Sequence, residues 1–166
     1  MLKKNKPMKS FYLILVSVLL LSFVVPLNSI SYKIIKKIEV TNLYGKNKKD
    51  VEPVIIECLN KTTKDLTFKL NSNSSQVEKT KIGNCIGYTK YFNKMLISKL
   101  DSGDYGNIVV THVRAKVLMM GKSVHVINSN SLKDHDISVI YDKTNNKTYF
   151  VDPSLSEVFG NIIIKQ

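Results

Sequence analysis

The sequence predicts an α+β fold in which helices pack on an antiparallel β-sheet. Three observations predict it: two apolar stripes at helical spacing, a series of strand-like runs from Ile108 onward, and short polar turns between those runs that suit hairpins. The first element is a strand at Tyr32–Thr41, with Ile34, Ile35, Ile38 and Val40 as its apolar content, closed by the polar turn Tyr44-Gly45-Lys46-Asn47. Asp50 then starts a helix, because Val51, Val54, Ile55, Cys58 and Leu59 recur at i, i+3, i+4, i+7 and i+8. The stretch 60–81 is rich in Asn, Ser, Thr and Lys. Within it Leu66, Phe68 and Leu70 alternate like an extended segment, and 71–75 reads as an exposed, flexible loop that runs on to Gln76.

Gly83-Asn84 introduces the second stripe: Cys85, Tyr88, Thr89, Phe92, Met95, Leu96 and Leu100, stopped by Asp101-Ser102-Gly103. Strand runs follow at Ile108–Leu118, Ser123–Asn128, His135–Tyr141 and Thr148–Val151. Met120-Gly121-Lys122 and Lys143-Thr144-Asn145-Asn146 supply hairpin turns, and Asp152-Pro153 reads as a further turn. No repeat or linker interrupts the chain, so residues 31–166 form one domain with a single core.

Residues 1–30 are of another kind. Lys3, Lys4, Lys6 and Lys9 precede an uncharged run from Phe11 to Val25, then Pro26 and a polar Asn28-Ser29-Ile30-Ser31. These are the parts of a secretory signal; left uncleaved, the same segment is an N-terminal membrane anchor. The chain is therefore expected to be secreted or held at the cell envelope, touching the membrane only through this segment. Taking those four lysines from a formal charge of +12 leaves +8 on residues 31–166. The lysines are scattered rather than interleaved with aromatics, which together with export argues against nucleic acid as a partner.

Two cysteines in an exported chain raise the reading of a Cys58–Cys85 disulfide in a small structural domain. Against it, Cys58 lies on the apolar face of its helix, where a free thiol behaves as a small hydrophobe. Cys85 opens its helix, where unpaired backbone N–H groups and the positive helix end favour a thiolate. The plain alternative is that Cys85 is one more apolar residue of its stripe.

Cys85, His135 and Asp152 together make the parts of a thiol-nucleophile site. A free thiol has a pKa near 8.5 and only the thiolate attacks carbonyls well, so it needs a base, and the base needs an orienting carboxylate. A short hairpin after Tyr141 brings His135 within about a residue or two of Asp152. Alternation groups His135 with Ile137 and Val139, and Asp152 with Phe150 and Thr148. Both faces are apolar, so imidazole and carboxylate are expected on the sheet side that covers the Cys85 helix. His112 and His125 compete as bases, set among polar neighbours, with no acid across a short hairpin. No Cys-x-x-Cys or His-x-x-x-His spacing occurs, so no metal and no cofactor is expected.

In Gly83-Asn84-Cys85-Ile86-Gly87-Tyr88, Val113-Arg114-Ala115-Lys116-Val117, His135-Asp136-Ile137-Ser138-Val139 and Phe150-Val151-Asp152-Pro153, the stretch 83–154 resembles the transglutaminase-like superfamily. The resemblance implies a papain-like α+β core, with the catalytic helix on an antiparallel sheet and a Cys85-His135-Asp152 triad. The chain departs from the family pattern at Ile137, where members often carry an aromatic, usually Trp; it has no Trp at all. The expected activity is that of an exported peptidase or amidase, or a cross-linking acyltransferase, acting on protein or peptide substrates such as cell-wall peptide. The Cys85 backbone N–H is the expected oxyanion donor, with Asn84 and Gln76 as candidates for a second. The alternatives are a catalytically inactive binding module of the same fold, or a structural secreted domain.

Overall fold

The computed structural model describes residues 30–119, 122–123 and 135–166. The elements in chain order are β1 (Ile30–Leu43), α1 (Glu52–Asp65), β2 (Thr67–Phe68), a 3-10 turn (Ser74–Gln76), α2 (Val77–Thr80), β3 (Ile82–Gly83) and α3 (Cys85–Ser102). After them come β4 (Ile108–Met119), β5 (Lys122–Ser123), β6 (His135–Asp142), β7 (Lys147–Val151), α4 (Pro153–Phe159) and β8 (Ile163–Lys165). The chain is mixed α+β, with helices against an antiparallel sheet. The apolar run 11–25, His125 and most of the strand read at 123–128 lie outside the described residues. Among the described residues no helix is long and apolar enough to cross a membrane.

The sheet runs β1-β4-β6-β7-β8, with β5 paired to the end of β4. Its register follows from the β6–β7 hairpin, where Asp142 faces Lys147 and Ser138 faces Val151 around the turn that Asn146 closes at φ 52°. Residues 135 and 152 thus sit two positions out of register, as the short turn predicts.

α3 buries Tyr88, Phe92, Leu96 and Leu100, spaced every fourth residue, so they line one face. Phe92, Leu96 and Leu100 meet Val51, Val54, Ile55, Cys58 and Leu59 of the α1 segment, and Val110, Ile140, Tyr149 and Val151 of the sheet. Burying each large side chain contributes roughly 1.5–3 kcal/mol, and truncating Leu96 to Ala removes about 2–5 kcal/mol with the cavity it leaves. Asn84 caps α3 by accepting from Gly87 N–H at 3.1 Å, and Gly103 ends it.

The second face of the sheet carries Val113, Ala115 and Ile137, flanked by Tyr32, Val139 and Phe150. β1 is longer than the periodicity suggests. It starts at Ile30, which the sequence groups with the leader and which here packs on Val117 and Ile162. Beyond Ile30 its apolar residues are not core: Ile34, Ile35, Ile38 and Val40 are exposed, and two register shifts interrupt its pairing with β4. α1 extends to Asp65, and its N-cap is Val51 rather than Asp50, without a side-chain cap.

β2 and β3 pair in parallel and fix the approach to α3. Gly83 belongs to this approach: a Cβ there would lie 3.0 Å from Val77 Cγ2 and 3.1 Å from Tyr88 Cδ2, so a side chain would require those two residues to give by a few tenths of an ångström.

Candidate active site

Cys85 is the first residue of α3 and is half-buried. Both cysteines are free thiols, so the disulfide reading fails in this fold. Cys58 sits wholly inside the α1–α3 core, and burial pushes its thiol up to about 11. That leaves Cys58 protonated and unreactive at neutral pH, and Cys85 as the exposed-side sulfur.

His135 opens β6 and is 2% exposed; Asp152 follows β7 and is fully buried. His135 Nε2 lies 2.9 Å from Asp152 Oδ1 and 2.8 Å from Oδ2. Three further donors surround the carboxylate: Tyr32 Oη to Oδ2 at 3.0 Å, Leu155 N–H to Oδ1 at 3.0 Å and Ser154 Oγ to Oδ1 at 3.2 Å. Burial alone would lower the His135 pKa. The Asp152 charge and hydrogen bond, and then the Cys85 thiol beside the ring, overcome this and carry it up to about 10. Burial pushes the other way at Asp152, but His135, Leu155 N–H and Tyr32 hold the carboxyl below its ordinary range. The pair is therefore imidazolium–carboxylate at neutral pH, the state that complements a thiolate.

One expectation needs correction. His135 and Asp152 are not on the sheet side that carries α3. His135 shares a face with Ile137, and Ala115 is its partner on β4, whereas α3 packs over Val110, Ile140, Tyr149 and Val151. Both faces of β6 are buried, so apolar alternation alone could not tell which one faces the helix. Cys85 nonetheless lies near enough to the ring to raise the His135 pKa, His135 being the first residue of its strand and Cys85 the first of its helix.

The residue that does point at α3 is Asp136, with His112 beside it. His112 Nε2 lies 3.0 Å from Asp136 Oδ1, and both side chains are 1% exposed. Cys85 Sγ donates to Asp136 Oδ2 at 3.9 Å. His112, weighed as a rival base with no acid across a short hairpin, thus has its acid one strand over, through the long-range β4–β6 pairing.

The second oxyanion candidates do not serve. Asn84 is engaged at both ends of its amide, accepting from Gly87 N–H and donating to the Ser72 carbonyl at 3.2 Å. Gln76 is exposed, in a 3-10 turn rather than a loose loop. Asp152-Pro153 is not a plain turn. Asp152 is the N-cap of α4 and Pro153 stands in its first turn, a helix-start signal legible in the sequence.

Sequence reading also missed Tyr32 and Ser154, which carry no local signal. Among the described residues, no group of three or more His, Cys, Asp and Glu side chains is arranged to hold a metal ion. No protein-family model matches the chain, and neither curated proteins nor solved structures yield a match.

Proposed function

We propose that this chain is an exported thiol acyl-transfer enzyme of transglutaminase-like type, with a papain-like core, acting as a peptidase or amidase on peptide or side-chain amides. One observation carries the reading: a buried imidazole, bonded to a buried carboxylate at 2.8–2.9 Å, stands beside a half-buried thiol at a helix N-terminus. A structural ion pair alone would not need the sulfur there.

In this mechanism the Cys85 thiolate attacks the amide carbonyl. The resulting oxyanion is met by the Cys85 backbone N–H, one of the first-turn donors that a helix leaves unpaired. The C–N bond then breaks, and His135 gives its proton to the leaving amine. Water, losing a proton to His135, hydrolyses the thioester and returns the thiolate and the imidazolium; a substrate amine in place of water gives a cross-link. Asp152 stabilises the imidazolium and holds the ring by Nε2, which leaves Nδ1 to serve the sulfur.

The test is the rate of Cys85 alkylation by iodoacetamide against pH, followed by mass spectrometry, with His135→Ala alongside. Fast labelling below pH 7 that the substitution abolishes supports the enzyme. Labelling that is slow and indifferent to His135 supports a catalytically inactive module of the same fold.

A further inference from the structure

The proposed mechanism leaves one buried charge unused. Asp136 follows His135, so its side chain leaves β6 on the opposite face, under the first turn of α3. Three side chains face its carboxylate. Oδ1 receives His112 Nε2 at 3.0 Å from β4. Oδ2 lies 3.7 Å from Arg114 Nη2, also on β4, and 3.9 Å from Cys85 Sγ on α3. Thr89 Oγ1, one turn further along α3, donates to the Asp136 carbonyl at 2.9 Å and pins the backbone at this point. His135 is its neighbour in sequence but turns to the other face, with Asp152.

A buried carboxylate is costly, and a well-packed apolar residue would usually fill such a place at no loss of stability. The surroundings are not those of an optimised structural ion pair either: His112 Nδ1 and Arg114 Nε are buried with no hydrogen-bond partner among the described residues. What the arrangement does supply is one carboxylate oxygen aimed at the sulfur, with the Arg114 guanidinium and the His112 imidazole behind it.

Building on the reading of Cys85 as the nucleophile, we infer that Asp136 is a positioning residue for it. Its Oδ2 accepts the S–H hydrogen bond in the unreacted state, and its negative charge, offset by the Arg114 guanidinium, sets the pH at which the sulfur becomes reactive. An anion this close opposes a second anion, because a like charge disfavours the charged form of its neighbour. Removing the carboxylate therefore frees the thiolate, and removing a compensating cation suppresses it.

The experiment is the pH profile of iodoacetamide labelling of Cys85 in the full chain, comparing the unaltered protein with Asp136→Asn, Arg114→Gln and His135→Ala. Asp136→Asn keeps the shape of the side chain. It is expected to move the profile to lower pH by on the order of one unit, which below the midpoint is about a tenfold faster rate. Arg114→Gln alters a side chain that is 38% exposed, so it spares the core, and it is expected to move the profile the other way. A purely structural role gives no such opposition: both variants would lower stability and leave the position of the profile alone.

Unmoved profiles, or shifts in the same direction, overturn the inference. If Asp136→Asn does not fold, the direction of the Arg114→Gln shift decides it. The His135→Ala arm is independent. Should His135 prove irrelevant while Asp136 and Arg114 move the profile oppositely, the triad reading fails and the positioning role stands; the reverse pattern sinks only the positioning role.

Discussion

The phenol of Tyr32 donates a 3.0 Å hydrogen bond to the carboxylate of Asp152, across 120 positions of the chain. Burial, with the Asp152 charge next to it, pushes the Tyr32 hydroxyl well above its ordinary pKa, so it stays a donor throughout the working range. Hydrogen bonds to charged groups contribute about 1.5–3 kcal/mol, and Tyr32→Phe keeps the ring that stacks on Phe150. The substitution is expected to lower unfolding free energy by that amount in urea denaturation. An unchanged midpoint would show that the remaining donors satisfy Asp152 by themselves.

The His135–Asp152 pair gives stability a defined pH window. His135 is raised from 6.5 to about 10, so its contribution is whole below about pH 6.5 and fades as pH climbs to about 10. Asp152 is lowered, so its contribution is whole above the ordinary carboxylate value near 3.9 and fades as pH falls through its folded value. Urea midpoints are therefore expected to be highest between about pH 4 and 6.5 and to decline through pH 7–10. The decline should be absent in His135→Ala; a decline that survives the substitution would trace to another group.

Asp152 has two duties that substitution can separate. Its Oδ1 caps α4 through Leu155 N–H and also receives His135. Asp152→Asn retains a capping oxygen but no charge, whereas Asp152→Ala loses both. The Asn variant is expected to lose thiolate reactivity, while the Ala variant loses in addition the roughly 0.5–2 kcal/mol of a helix cap. Thermal unfolding beside alkylation kinetics reads the two effects apart; equal melting temperatures would remove the capping role.

Cys58 offers an internal control for thiol chemistry. Wholly buried and with its thiol pushed up to about 11, it should stay unlabelled in the native protein and react only after denaturation. Intact-mass analysis is expected to show one carbamidomethyl group in native conditions and two in urea. A two-dalton deficit before reduction would instead reveal a disulfide.

Much of the site's frame was legible because local rules settle it. The α3 limits follow from the Asn84 cap, the four-residue stripe and Gly103. The β6–β7 register follows from one short turn, and Cys85 at the helix start follows from the Asn84 cap. What escaped was decided by tertiary contact. β6 is buried on both faces, so alternation could not say that Asp136 rather than His135 looks toward α3. His112 meets its acid through a strand pairing between residues 24 apart, and no sequence period announces that. α4 is a different kind of miss: Asp152-Pro153 carried the start signal, but a turn accounts for the same two residues.

β1 holds a further consequence. It is fourteen residues long, has β4 as its single strand neighbour among the described residues, and shows Ile34, Ile35, Ile38 and Val40 to solvent. A straight edge of that composition is a template for fibrillar stacking. The two register shifts, between Ile34 and Lys36 and between Lys37 and Glu39, bend the edge where it is most apolar. Lys33, Lys36 and Lys37 set like charges along it. The irregularities that spoil the pairing of β1 with β4 thus act as gatekeepers of colloidal solubility, keeping one molecule's edge from seeding the next.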